Sequence, residues 1–379
     1  MFAYQKTNRY FGQLAPGMED FAREELETLG AKKIKESYHG IFFEADHETL
    51  YRITYCTRFF TRIYAPVIRF DCHSTKYLYK TAQQIDWSLF FSVHETFAIN
   101  ANVADSHIRH SRYAALCLKD AIVDQFRDNC GRRPNVETIN PDCWINLFIH
   151  NNKAVINIDL AGGSLHRRGY RKDAVDAPMQ ETLAAAMIKA SGWNGERPLY
   201  DPFCGSGTLL CEALMKVTNT PAGYFRDHFG FEQLPDFDSE AWKKVEREEA
   251  ADIKPLAKNL IAGSDCDRSA IATARKNLGT FRDGQNVDLS VRRFQDIPEL
   301  KDVTIVANPP YGIRLGEKEE VAALMKEFGD FLKQRCTGST AYVYFGDKGM
   351  IKKLGLKPEY KMPLRNGGLD GRLCKYDLY

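Results

Sequence analysis

The chain has 379 residues, of which 44% are apolar and 27% charged, and its cations outnumber its anions by 52 to 50. That is the composition of an ordinary globular protein with room for two or three domains, and no stretch approaches the ~20 apolar residues that a membrane-spanning helix needs. The opening MFAYQKTNRYFG has no signal-peptide pattern, and ten cysteines lie scattered without a CxxC pair or zinc spacing. Reduced cytosolic thiols and no bound metal are therefore expected.

In chain order, the apolar spacing of Met18, Phe21, Leu26 and Leu29 predicts a helix over Met18–Leu29, stopped by Gly30. A strand follows at Gly40–Glu44 and a short helix near Glu48–Tyr55, which together suggest a small α+β unit. Residues 66–100 read as short strands and turns, with a further strand at Phe97–Asn102. A helix is expected over Ser106–Phe126, with Leu116, Ile122, Val123 and Phe126 inward and Arg109, Arg112 and Lys119 outward. Arg132 and Arg133 come next, then strands at Trp144–Ile149 and Ala154–Leu160. Any one of these basic residues is most simply a solvated surface group, but together they form a candidate phosphate-contacting surface.

Residues 1–160 and 181–379 are each neutral, so the net charge of +2 resides in 161–180. That connector, AGGSLHRRGYRKDAVDAPMQ, places Arg167, Arg168 and Arg171 beside a histidine and a tyrosine. A polar hinge explains much of it, while interleaved arginine and aromatic groups also suit a phosphate or an extruded base. Glu181–Ala190 is then a strong helix former.

From Pro198 the pattern alternates strand and helix, the signature of a parallel doubly wound sheet. Strands are expected at Pro198–Phe203, Leu260–Asp265, Val287–Arg293, Val303–Ala307 and Thr340–Phe345, and helices at Ser206–Val217, Arg268–Thr280 and Glu319–Arg335. Residues 219–255 form an aromatic and charged insertion, and the segments Pro363–Gly368 and Leu373–Tyr379 a closing hairpin.

Four strand ends carry chemistry. After the first, Asp201-Pro-Phe203-Cys-Gly205-Ser-Gly207-Thr208 lets backbone approach a ligand at its glycines. It lacks the third glycine of a dinucleotide fingerprint and the GK[ST] of a nucleotide phosphate loop. The second ends in Asp265-Cys266-Asp267, where Asp265 can accept two ribose hydroxyls and Asp267 stands at a helix N-cap. Asp296 after the third can accept from an adenine amine. A nucleoside-bearing cofactor without a phosphate cradle fits S-adenosylmethionine (SAM). The fourth ends in Asn308-Pro309-Pro310-Tyr311. Two prolines stop the ladder and stiffen the turn, leaving the Asn308 amide oxygen and Pro309 carbonyl to accept from an exocyclic amine and Tyr311 to stack on its ring.

The segments DPFCGSGTLLCEA (201–213), GSDCD (263–267), FQD (294–296) and ANPPYG (307–312) resemble the SAM and catalytic motifs of UPF0020/RlmL-type methyltransferases, and SLHRRGYR (164–171) with APMQETLAAAM (177–187) resembles their linker. The resemblance covers nearly the whole chain and implies an α/β architecture. A ferredoxin-like piece would occupy 1–60, a THUMP α+β RNA-binding domain 61–160, a basic linker 161–182, and a Rossmann-like seven-stranded SAM methyltransferase domain 183–379. SAM would lie against Asp201, Phe203, Gly205, Gly207, Thr208, Asp265, Cys266, Asp296 and Asn308. The target amine would be held by Asn308, Pro309, Pro310 and Tyr311, with no dedicated base nominated. RNA contacts would come from Arg109, Arg112, Lys119, Arg132, Arg133, Arg167, Arg168 and Arg171.

The implied reaction is SAM-dependent methylation of a guanosine N2 amine in RNA, first of all 23S ribosomal RNA, free or in an assembling particle, within the cytoplasm. A transfer RNA guanosine is the nearest alternative, and a non-catalytic RNA-binding or assembly factor with a relict SAM fold is another. NPPY also serves adenine N6, cytosine N4 and glutamine methylation, against which the THUMP-like half and the linker argue. Some relatives carry a second methyltransferase domain, and with the chain ending at Tyr379 that activity is expected to be absent.

Overall fold

The computed structural model describes residues 1–171, 179–311 and 317–379. The two remaining stretches take in part of the expected basic linker and Gly312 after the NPPY turn, which lie outside the described residues.

The N-terminal half is built on one eight-stranded sheet, in the order Lys32–Ser37, Gly40–Glu44, Arg9–Leu14, Phe60–Asp71, Lys153–Asp159, Cys143–His150, Thr96–Ala104 and Asn135–Val136. Every second residue of Arg9–Leu14 is buried, so Tyr10 and Leu14 enter a core with Ile41, Phe43, Leu26, Leu50 and Ile53. The opposite face stays partly open. Phe60–Asp71 runs twelve residues and pairs with Arg9–Leu14 on one side and Lys153–Asp159 on the other. One strand thus belongs to both parts of the N-terminal half.

Several sequence expectations shift here. Where 66–100 suggested short strands and turns, the long strand passes through Pro66 and a helix follows at Thr75–Ala82. A register shift between Pro66 and Ile68 explains this, because a bulge accommodates the missing N–H. The helix expected from Ser106 starts at Ser111 and runs to Cys130, so Arg109 precedes it, and Leu116 is exposed rather than inward. Its buried side is instead Ala114, Leu118, Ala121, Ile122, Val123 and Phe126. The edge strand Lys32–Ser37 gave no signal, having no buried residue to mark a period of two.

The C-terminal sheet has the order Asp288–Val291, Ile261–Asp265, Leu199–Asp201, Thr304–Ala307, Thr340–Phe345, Leu369–Asp377 and Tyr360–Asn366. The first five are parallel and the last two form an antiparallel hairpin. Strand order reverses on either side of Leu199–Asp201, making its C-terminal end the switch point at which open α/β sheets bind ligands.

The insertion between these elements joins the two halves. Its helix Ser239–Ala251 packs on His47–Cys56. Tyr51 meets Phe231 at 4.6 Å and Tyr55 meets Trp242 edge-on at 5.2 Å, while Arg52 pairs with Glu249 at 2.8 Å.

Candidate active site

Three chain segments converge at the switch point. Gly205 and Gly207 have φ of 50° and 81°, a region that costs L side chains of order 1 kcal/mol or more. A Cβ at Gly205 would meet no atom within 4 Å, so the loop presents bare backbone to open space. At Gly207 a Cβ would stand 3.1 Å from that of Ala274, so this glycine lets the helices Thr208–Val217 and Arg268–Leu278 come close. Asp201 is fully buried below the loop and accepts from the Phe203 N–H at 3.0 Å. Burial pushes its carboxyl up to about 8, so it is mostly protonated at neutral pH.

Asp265 ties the second strand end to the loop. One carboxylate oxygen accepts from the Gly205 N–H at 2.9 Å, the other from the Asp267 N–H at 2.9 Å. Each oxygen keeps lone-pair capacity for a further donor. Asp267 caps the next helix, accepting from the Ser269 N–H and hydroxyl at 2.8 and 2.7 Å, and those bonds hold its carboxyl below the usual range. Cys266 and Asp296 are exposed at neighbouring strand ends. Phe203 packs against Phe294 and, edge-on, Phe328 at 5.3 and 4.9 Å, forming an apolar wall. Thr208 is turned elsewhere: its hydroxyl accepts from Arg171 at 2.9 Å, tying the helix start to the linker.

Asn308 follows the fourth strand, with Pro309 buried and Pro310 exposed. The Tyr311 hydroxyl donates to the Asn308 side-chain oxygen, occupying one of the two lone pairs expected to receive a substrate amine. The Tyr311 ring lies over Gly346, where a Cβ would come 2.9 Å from ring Cγ, and meets Tyr344 edge-on at 6.0 Å. Asn366 also reaches its hydroxyl. The tyrosine is thus folded inward, and burial raises its phenol above the ordinary value. Gly346 and Asn366 escaped the sequence reading. A glycine directly after the Thr340–Phe345 strand was the available hint, whereas Asn366 sits in a hairpin that only tertiary pairing brings near.

The expected RNA contacts divide. Arg132 and Arg133 are exposed and line a recess with Arg127 and His94. Arg109 and Arg112 are exposed at the other end of the twenty-residue helix Ser111–Cys130, about 30 Å away, so the four do not form one patch. Lys119 lies 2.5 Å from the neighbouring Asp120 carboxylate, and Arg167 is exposed. Arg168 contradicts the expectation. It is 1% exposed and donates to the carbonyls of Thr57, Leu165 and Arg58 and to Glu212. Arg171 is likewise engaged with Glu181 and the Met179 carbonyl. Arg168 is held inside the molecule, out of reach of an RNA phosphate, because residues 164–171 lie between the halves; Arg171 is partly exposed, with two of its nitrogens bonded within the fold. Among the described residues no group of His, Cys, Asp and Glu is placed to hold a metal, and no helix is long and apolar enough to cross a membrane.

A parallel sheet with a hairpin edge, a bare glycine loop and carboxylates on successive strand ends define a Rossmann-like SAM-dependent methyltransferase. The loop and Asp265 fit the nucleoside part of that cofactor, and no phosphate cradle accompanies them. More particularly, the chain belongs to the UPF0020 family: the model of its RMKL-like methyltransferase domain matches residues 168–375. A THUMP domain matches 72–159 and the RlmL ferredoxin-like domain 10–64. The chain is 39% identical, over all of its length and 99% of the relative's, to a Synechocystis protein provisionally named an RNA methyltransferase. It is 36% identical over 97% of its length to the ribosomal RNA large subunit methyltransferase K/L of Photobacterium profundum, spanning 53% of that protein. It thus spans about half the length of the K/L relatives. A provisionally assigned methyltransferase, solved with SAH, superposes with a TM-score of 0.85 at 27% identity, covering 98% of each chain.

Proposed function

We propose that this protein methylates the exocyclic N2 amine of a guanosine in large-subunit ribosomal RNA, free or in an assembling particle, in the cytoplasm. The observation that carries the reading is the Asn308–Tyr311 turn at the C-terminal end of Thr304–Ala307, one strand from the glycine loop. The ribosomal substrate is supported by the K/L relatives and by the THUMP domain.

SAM, when bound, supplies an electrophilic methyl group. The chain's own part is alignment, with Gly205, Gly207, Asp265 and Asp296 holding the nucleoside; proximity and orientation can contribute ~7–11 kcal/mol. The guanine amine is a poor nucleophile because its lone pair is delocalised. Acceptors at the Asn308 oxygen and Pro309 carbonyl favour its pyramidal form and the positive charge that develops on it. Tyr311 must exchange its bond to Asn308 for a position over the base. The base itself has to leave its stack or already lie in a loop. Arg109, Arg112, Lys119, Arg132, Arg133 and Arg167 are the proposed phosphate contacts.

The test is digestion of RNA treated with enzyme and labelled SAM, with the product nucleoside identified by chromatography. N2-methylguanosine in 23S RNA is expected, and Asn308→Ala should abolish it while leaving SAM affinity largely intact. Label in N6-methyladenosine, in transfer RNA or only in protein would overturn the assignment.

A further inference from the structure

The open face of the N-terminal sheet carries a feature that the methyl-transfer site does not use. Phe42, Phe11 and Tyr64 stand in register on three adjacent strands, with the Phe11 and Phe42 rings 4.8 Å apart. The Arg9 guanidinium lies 4.5 Å from the Phe42 centroid and that of Arg69 5.8 Å from the same centroid. Lys35 stands directly opposite Phe42 on the edge strand. Glu44, opposite Arg9 in register, is 3.0 Å from Lys33. Among the described residues neither Arg9 nor Arg69 has an ion pair. On the same sheet face, Arg62 stacks on Trp144 at 4.9 Å but is paired with Asp159. Arg62 is therefore neutralised within the fold, while Arg9 and Arg69 are two like charges converging on one ring.

From Arg69 a second row continues in register through Val155 and Phe148 to Asn102, and Phe148 is 44% exposed. From Gly40–Glu44 to Cys143–His150 the face crosses four strand spacings, ~19 Å. Flat rings beside unneutralised guanidiniums suit bases and phosphates of one strand, since stacking tolerates any base and guanidinium forks match phosphate. A regular duplex keeps its base faces stacked away from such a platform.

We propose that this face docks an unpaired segment of the RNA substrate, with a phosphate drawing the Arg9 and Arg69 guanidiniums together and a base stacking on Phe42 in the place that Arg9 vacates. The inference rests on the RNA reading above and adds a binding surface that runs from the ferredoxin-like strands onto the sheet face of the THUMP domain.

It is tested on the full chain by fluorescence anisotropy with a labelled 12-nucleotide oligouridylate and a duplex RNA of equal length, across a salt series. Arg9→Gln with Arg69→Gln should weaken oligouridylate binding at least tenfold and flatten the slope of log affinity against log salt by about 0.7 for each phosphate released. Phe42→Leu should weaken binding severalfold with the slope unchanged, and Phe42→Tyr should restore it; SAM affinity measured in parallel reports intact folding. Unchanged binding in the arginine pair or in Phe42→Leu overturns the surface, as does equal loss on the duplex, which would mean shape recognition. Wild-type protein that binds neither RNA sinks the RNA reading itself, a result distinguishable from the others.

Discussion

Arginines in the linker and arginines of the THUMP domain have the same chemistry and opposite circumstances. Arg168 is enclosed, with three backbone carbonyls and Glu212 around it, and Tyr170 donates to the same Glu212 oxygen at 3.3 Å. Arg58 adds a second tie, donating to the carbonyls of Met215 and Thr220. Arg132 and Arg133 face solvent in a recess beside His94 and Arg127, the latter paired with Asp124. A planar, always-charged fork serves equally to join two chain segments through carbonyls and to receive phosphate. What distinguishes the two uses is whether the protein has already filled the fork.

The comparison breaks most sharply at Glu212, which is 1% exposed. Glu212→Ala strips a buried guanidinium of its carboxylate, and removing one partner of a buried pair costs about 3–5 kcal/mol. Urea unfolding should show that loss, while the RNA affinity of the fraction still folded should be unchanged. A stable variant with weakened RNA binding would reverse the assignment of the linker. The THUMP arginines should behave the other way round. Arg132→Gln with Arg133→Gln is expected to move stability by less than about 0.5 kcal/mol, as surface substitutions do. RNA affinity should fall, with the salt slope reduced by about 0.7–0.9 for each phosphate that the variant no longer engages. The same pair of measurements on Arg109→Gln with Arg112→Gln would show whether the far end of the helix shares the RNA.

The legibility of the chain follows the same division. Gly40–Glu44, Glu181–Ala190 and Thr340–Phe345 appear at the expected boundaries, because short apolar runs and a block of strong helix formers are local signals. The strand-end motifs were visible because the Gly205–Gly207 loop, Asp265 and Asn308-Pro309-Pro310-Tyr311 combine unusual residues at short spacing. Arg168 was misread because a local count of arginines says nothing about the carbonyls of Thr57 and Arg58, more than a hundred positions earlier. The inward fold of Tyr311 was invisible for a similar reason, since its slot needs the missing Cβ of Gly346 and the end of the Tyr360–Asn366 strand. Long-range polar contacts and clearances leave no periodic trace.

A finer comparison separates two aspartates only two positions apart. Asp267 gives both carboxylate oxygens to Ser269, so its work is spent on starting the helix Arg268–Leu278. Asp267→Ala should cost about 1 kcal/mol of stability, the usual worth of an N-cap, and leave SAM affinity nearly intact. Asp265 instead holds the N–H of Gly205, within the loop that would face the cofactor. Asp265→Ala should therefore weaken SAM binding strongly, by freeing the loop and by leaving the ribose hydroxyls unpaired. Calorimetric titration beside thermal unfolding distinguishes the two. Equal losses of affinity in both variants would mean that the helix start, rather than the Asp265 carboxylate, organises the cofactor site.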